Sequence, residues 1–487
     1  MESVVIVEAC RTPVGSMGGV LRPLSAYDLA VDVMRGALDR SGIDPKIIDE
    51  VVMGQCRQTS DDPNLARLAA LEAGIPESAS GFTVMRQCAS GMTAVHCGTM
   101  SIMTGVNDCV LAGGAESMSN GVFYLRNARY GVGTGNTELV DAVTEGQFRS
   151  QPQEIYGRYN MGATAQNIAD QLGITREEQD AFSLTSQQRA IAAIDAGRFK
   201  DEIIPISVPQ GKKKPPIIFD TDEFPRRDTS AEKLAKLKPC FNVTRDESGR
   251  LFNSSELTGS VTAASSSGRF AEEIVPVTVP QGKKKPALVV DTDEPPRFGM
   301  TMEKLARLSP CFRIRTDEQG RVYNDPTSER GTVTPGNSCG RNDGASAVLL
   351  MRESLARELG LRPLARVIGM GSGGCDPRTM GLGPVQAVPK ALKNAGLTMD
   401  DIGLIELNEA FAAQSLGCIK LLGWEDKLDI INVNGGAIAL GHPVGSSGCR
   451  IIVSLVHEMK RRGVKYGLAT LCIAGGMGQA TVVELCD

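Results

Sequence analysis

The chain reads as an α/β protein of two similar halves with an inserted loop domain. Three observations point there: β-rich and amphipathic runs alternate at both ends of its 487 residues, both ends show the same order, and a stretch between them is duplicated. In the first half a strand at 4–8 is followed by a helix at 26–41, a strand at 50–53, a helix near 65–73, a strand at 82–85, a helix at 90–104 and a strand at 109–112. Its last strand is expected at 345–350, beyond a long excursion. In the second half a strand at 365–370 leads to a helix at 385–394, a strand at 402–407, a helix at 409–422, a strand at 430–433, a helix at 446–461 and strands at 466–472 and 480–485. Both read βαβαβαββ, and parallel strands joined by helices predict sheets covered by helices on both faces. The expected division is 1–120 with 338–362 as one half, 121–337 as the loop domain and 363–487 as the other half.

The duplication lies in the excursion. Residues 197–250 align without gaps on 268–321 at an offset of 71, and 32 of the 54 pairs are identical. Two copies fall short of the three or so that a stacked array needs, so a local tandem duplication is the better reading. The second copy runs directly into the Gly331 to Gly340 segment and rejoins the α/β body.

Composition narrows the function. Hydrophobic residues at 41% and charged residues at 22% describe an ordinary globular chain of about three domain lengths. A net charge of −5 argues against nucleic-acid binding. The chain opens on a strand-like run without the basic stretch, long apolar run and cleavage site of a signal peptide, which predicts a cytoplasmic protein. Its 13 cysteines form no C-x-x-C pair, and with three histidines no metal site is expected. The glycines from Gly369 to Gly374 run into Asp376-Pro377 instead of a helix, so no dinucleotide site is read there.

Four residues sit where chemistry is plausible. Cys88 lies between a strand and a helix, where the macrodipole and free N–H groups favour a thiolate; a buried structural thiol is the bland alternative. His442 occupies the matching loop of the second half, and packing about a pseudo-twofold would bring imidazole near thiol. Cys472 ends a strand before Ile473-Ala474-Gly475-Gly476, a turn that exposes N–H groups for an oxyanion; a tight hairpin with a buried thiol explains it equally well. Asn408 either caps the next helix or holds a catalytic water.

Taken together, Cys88-Ala89-Ser90-Gly91, Gly113 to Ser119, Asn408-Glu409-Ala410-Phe411, Gly441-His442-Pro443 and Cys472-Ile473 resemble the thiolase family. The resemblance covers nearly the whole chain and leaves one repeat copy unaccounted for. It implies a two-halved thiolase fold and an acyltransferase joining two acetyl-CoA reversibly or cleaving a 3-ketoacyl-CoA, with a place in fatty acid metabolism and beta-oxidation. Cys88 would carry the acyl group, His442 would activate it and bind a thioester oxygen, Cys472 would move the methyl proton, and Asn408 would position a water. Coenzyme A would be a substrate, with no permanently bound cofactor, and Arg297, Met161, Cys339 and Phe411 would contact it. Arg297 is preferred to its twin Arg226 because its copy leads into the Asn337 segment. Cys339 stands where a serine is usual, Asn160 where a histidine is common and Ala474 where a glycine is usual. A homo-oligomer, tetramer or dimer, is also implied. The rivals are a non-catalytic acyl-CoA binding protein on the same fold, a decarboxylating condensing enzyme, which needs no counterpart of Cys472, and a misfolded product of the duplication.

Overall fold

Strand β1 (Val4–Arg11) is buried along its whole length. Val5 and Val7 face one core and Val4 and Ile6 another, the alternation of a strand covered on both faces. The computed structural model describes residues 2–211, 214–237, 243–246, 248–253, 277–279, 288–290 and 333–486. Helix α1 (Ala26–Ser41) starts at Ser25, whose hydroxyl and the Asp28 carboxylate cap each other's main-chain N–H, and stops at Gly42. There follow β2 (Glu50–Gly54), α2 (Leu65–Glu72), β3 (Ser80–Val84), α3 (Ser90–Met103) and β4 (Cys109–Ser117). In the excursion lie α4 (Met161–Leu172), α5 (Arg176–Asp195) and the short strands β5 (Ile206–Val208), β6 (Ile217–Phe219), β7 (Val243–Arg245), β8 (Leu251–Asn253), β9 (Val277–Val279) and β10 (Leu288–Val290). Strand β11 (Asn342–Arg352) completes the first half. The second half is β12 (Ala365–Gly374), α6 (Gly383–Ala395), β13 (Leu404–Leu407), α7 (Ala412–Leu422), α8 (Val444–Arg462), β14 (Tyr466–Ile473) and β15 (Met477–Leu485).

The strands pair in the order β13-β14-β15-β12-β1-β11-β4-β2-β3, with Gly15–Ser16 beside β11. The halves join through Val5 opposite Arg366 and Ile6 opposite Ala365. Three apolar clusters define five layers: α1 and α2 cover one face of the first-half strands, α3 and α8 lie between the two halves of the sheet, and α6 and α7 cover the far face. Pairing is mixed: parallel strands occur as expected of βαβ units, and the closing hairpin is antiparallel as expected of one. β2 runs parallel to β3 and β4, and β13 to β14. β11 and β15 enter antiparallel, because each returns beside its neighbour after the excursion or a hairpin.

One expectation fails. Residues 430–433 form only an isolated bridge, Ile431 to Ile405, instead of a strand. Asn432 has φ +46°, a left-handed conformation that breaks an extended run. Its side chain pairs with both main-chain groups of Leu407, accepting from the N–H and donating to the carbonyl at 2.8 Å each.

Central helices α3 and α8 touch backbone to backbone. A Cβ on Gly91 would lie 2.9 Å from the Gly445 carbonyl oxygen, and one on Gly448 would lie 2.6 Å from the Met92 nitrogen. Only glycine permits this crossing.

The first repeat copy is seated on the body. Asp222 takes a bidentate pair from Arg11 at 2.7 and 2.9 Å, the Phe224 ring occupies the space a Cβ on Gly340 would need, and Leu251, just after the copy, is buried with Tyr159 and Ala163. The hairpin β9–β10 repeats β5–β6 in register, Val277 opposite Val290 as Ile206 is opposite Phe219. The rest of the second copy falls outside the described residues, Arg297 with it.

Two outcomes follow. Gly448→Ala should cost roughly 1–3 kcal/mol by overpacking, read as a lower melting temperature; an unchanged transition would contradict the backbone contact. Deleting residues 254–324, which joins Asn253 to Asp325 in the register of the repeat, should leave the melting temperature within about 3 °C. A broad or lost transition would show that the second copy supplies contacts the body needs.

Candidate active site

Cys88 is presented by a strained turn between β3 and α3. Gln87 has φ +48°. The Ser90 hydroxyl holds the turn, donating to the Gln87 carbonyl at 2.7 Å and accepting from the Arg86 N–H at 2.9 Å. A non-glycine residue in the left-handed region persists only where its surroundings fix it. Two N–H groups face the Cys88 sulfur, that of Ala474 in the β14–β15 turn and its own. Burial pushes the thiol up, and the Ala474 N–H, the Arg57 charge and its own N–H oppose this. Ala474 has no positive φ, so alanine serves as well as glycine at this donor; Gly475 and Gly476 carry the turn at φ +91° and +83°.

His442 precedes α8 as Cys88 precedes α3. Because Gly91 and Gly445, each three residues further on, are in contact, the two helix N-termini meet. The His442 main chain donates to Asn342 Oδ1 at 2.9 Å, and Nδ1 lies 2.6 Å from Ser447 Oγ. Nε2 is buried and has no hydrogen-bond partner among the described residues. Burial, with Arg450 adding to it, lowers the imidazole pKa to about 3, so the ring is neutral at pH 7.

Cys472 is fully buried, its thiol raised first by burial and then by the neighbouring Cys88, Cys418, Cys339 and Cys375. It shares an apolar cluster with Phe411, Met380, Met161 and Cys339. Three of the four predicted coenzyme contacts are therefore gathered around it. The Cys339 N–H donates to the Ala410 carbonyl at 3.0 Å, and Ser338 bridges to Phe411. Asn160 caps α4 by accepting from the Ala163 N–H at 3.0 Å. Arg226, twin of Arg297, lies over the Phe224 ring 5.5 Å from its centroid, beside Gly340.

Asn408 does not cap α7, which starts at Ala412; Gln414 instead accepts from the Ala410 N–H at 3.1 Å. Both polar atoms of the Asn408 side chain are buried without a partner among the described residues. Such orphaned amides are rare and costly. The flanking residues are pinned: Asn432 clamps Leu407, and the Glu409 carboxylate accepts from Ser186 Oγ at 2.6 Å, Asn432 Nδ2 at 2.8 Å and the Ile438 N–H at 3.2 Å. Sequence reasoning missed Ser447, Asn342 and Asn432. The one available signal was a serine five residues after His442, inside the first turn of its helix.

The family models for the thiolase N-terminal domain and C-terminal domain match residues 4–249 with 258–354, and 361–485. The chain belongs to the thiolase family. It is an acyltransferase. Similar relatives include an acetyl-CoA acetyltransferase of Chromobacterium violaceum, 42% identical over 481 residues and 99% of each chain, and a probable acetyl-CoA acetyltransferase of Escherichia coli, 38% identical with 99% of each covered. Among solved structures it resembles the acetyl-CoA acetyltransferase of Bacillus anthracis, with a TM-score of 0.79, 36% identity, and 100% of this chain and 99% of that one covered. It also resembles human mitochondrial 3-ketoacyl-CoA thiolase in complex with CoA, with a TM-score of 0.77, 34% identity and 99% and 98% covered. As expected for the family, the fold is the two-halved α/β thiolase fold. No helix among the described residues is long and apolar enough to cross a membrane.

With its pKa raised the Cys88 thiol rests uncharged, and with its pKa lowered so does the His442 imidazole. Iodoacetamide labelling of Cys88, followed at the peptide level, should therefore accelerate about tenfold per pH unit from pH 6 to 8.5. A plateau below pH 7 would reveal a resting thiolate and contradict this.

Proposed function

We propose that this thiolase cleaves 3-ketoacyl-CoA with CoA, and joins two acetyl-CoA in reverse, using Cys88 as nucleophile, His442 and Cys472 as proton carriers and Asn408 as anchor for a water in an oxyanion site. The reading is supported by the contact of Gly91 with Gly445, which joins the helix N-termini that follow Cys88 and His442, together with the two N–H groups at the Cys88 sulfur and three buried polar atoms without a partner among the described residues, His442 Nε2 and both of the Asn408 amide. In thiolysis Cys88 gives its proton to His442, and its sulfur attacks the 3-keto carbonyl. The oxygen takes negative charge and is held by N–H donors. The carbon–carbon bond breaks, and the acetyl-CoA carbanion takes the Cys472 proton. Burial suits Cys472 to this direction, because it keeps the proton on the thiol. CoA then returns a proton to the Cys472 thiolate, attacks the Cys88 thioester and leaves as acyl-CoA, and His442 restores the Cys88 proton.

Cys339, Met161 and Phe411 would border the pantetheine, since they cluster around Cys472. Arg226 is proposed for the phosphate-facing part, in place of Arg297, since its copy is seated on the body. The division at 1–120 with 338–362, 121–337 and 363–487 remains the proposed domain plan. A homo-oligomer is supported by the edge strand β3, where Phe82 is 39% exposed and the next residue after the strand, Met85, is 53% exposed. Biosynthetic or beta-oxidation use is a matter of substrate, so acetoacetyl-CoA and a longer 3-ketoacyl-CoA are tested together.

Purified protein should cleave at least one of them in a CoA-dependent manner. Cys88→Ala should abolish turnover, and Asn408→Ala should lower kcat by about 10²–10³ by removing an oxyanion-site anchor. A folded wild-type chain that binds acyl-CoA but cleaves neither would instead favour the binding protein.

A further inference from the structure

We propose that Ser447 is a positioning residue that fixes the His442 tautomer, holding the proton on Nδ1 and leaving the Nε2 lone pair free for the Cys88 proton. The functional meaning of the inference rests on the reading of Cys88 and His442 given above; the tautomer itself does not.

The argument is an account of one hydroxyl proton. Ser447 lies in the first turns of α8 and is fully buried. Its Oγ has two polar neighbours, His442 Nδ1 at 2.6 Å and the Pro443 carbonyl oxygen at 2.9 Å. A serine hydroxyl donates one hydrogen bond and accepts others, while a carbonyl oxygen only accepts. The Pro443 carbonyl also accepts the Ser446 and Ser447 N–H groups at 2.9 Å each, and facing it at hydrogen-bond distance the Ser447 hydroxyl can only donate to it. It then has only lone pairs for His442, and Nδ1 must bring the hydrogen. The resulting chain, Nδ1–H to Oγ–H to the Pro443 carbonyl, satisfies every member. In the opposite tautomer Ser447 would donate to Nδ1 and two facing oxygens would lack a proton between them. The ring would also bury an unpaired Nε2–H, since Nε2 has no partner among the described residues. The hydrogen bond at one ring nitrogen thus decides the state of the other.

The rest of the loop is held independently. Asn342 accepts the His442 N–H and donates to the Gly15 carbonyl at 3.0 Å. Gly441 adopts φ +97°, and a Cβ there would lie 2.5 Å from the Asn342 side chain. Losing the Ser447 hydroxyl therefore leaves the loop in place and releases the ring. When Cys88 loses its proton, the electron pair stays on sulfur, the proton goes to Nε2, and the Nδ1–H bond to Ser447 persists in the imidazolium.

The test is a magic-angle-spinning ¹⁵N spectrum of the full chain labelled at histidine. The chain holds only three histidines, so His442→Asn assigns the signals. The expected result is a protonated Nδ1 and an unprotonated Nε2 for His442; a protonated Nε2 in the wild-type protein overturns the proposal. Ser447→Ala should populate the Nε2–H tautomer and lower kcat by about a hundredfold or more with little change in KM, while Ser447→Thr should restore both. An unchanged tautomer in folded Ser447→Ala also overturns it. Should that variant fail to fold, the wild-type spectrum decides alone. Wild-type cleavage of acetoacetyl-CoA is measured in parallel: its absence would refute the reading of the site without touching the tautomer.

Discussion

The glycine crossing of α3 and α8 is the constraint on which the site depends. Helices with ordinary side chains at the contact pack with axes about 8–10 Å apart. Gly91 and Gly448 remove the Cβ atoms at the contact, and the backbones touch. Each helix begins just after the loop that carries Cys88 or His442, so closing that gap also draws the loops together. Glu116 reinforces the join from below, accepting from the Cys56 and Arg57 N–H groups of one half and the Gly445 N–H of the other. The duplicated α/β architecture places two equivalent helix N-termini face to face.

Burial then sets the chemistry. The same desolvation that stabilises the apolar centre disfavours charge on Cys88, His442 and Cys472 alike, so all three side chains rest in neutral form. Such a site relies on fixed dipoles, N–H groups and amides, rather than on standing charges. The left-handed Gln87, the clamped Leu407 and the unpaired Asn408 amide are the structural costs of that arrangement.

Much of this was legible in the sequence, because it rests on local pattern. The βαβαβαββ order follows from runs of apolar residues, and Cys88 and His442 stood out because their loops hold equivalent places in that order. The missing strand at 430–433 was not legible: Ile430 to Val433 has strand composition, and only the amide of Asn432, reaching Leu407 25 positions away, turns the chain aside. Ser447 was hidden for a related reason, since its role depends on helix geometry bringing Oγ to the ring. The repeat copies look alike locally, and the choice between them is tertiary. Phe224 fills the space beside Gly340, whereas the second copy has Pro295 at that place.

The central claim is that Cys88 carries the acyl group. It is tested most directly by mixing the protein with acetoacetyl-CoA in the absence of CoA, quenching in acid and mapping the acetyl group by peptide mass spectrometry. The account predicts acetyl on the peptide containing Cys88, discharged when CoA is added before the quench. Acetyl on Cys472 or Cys339 instead, or turnover with no covalent acetyl at all, would contradict it.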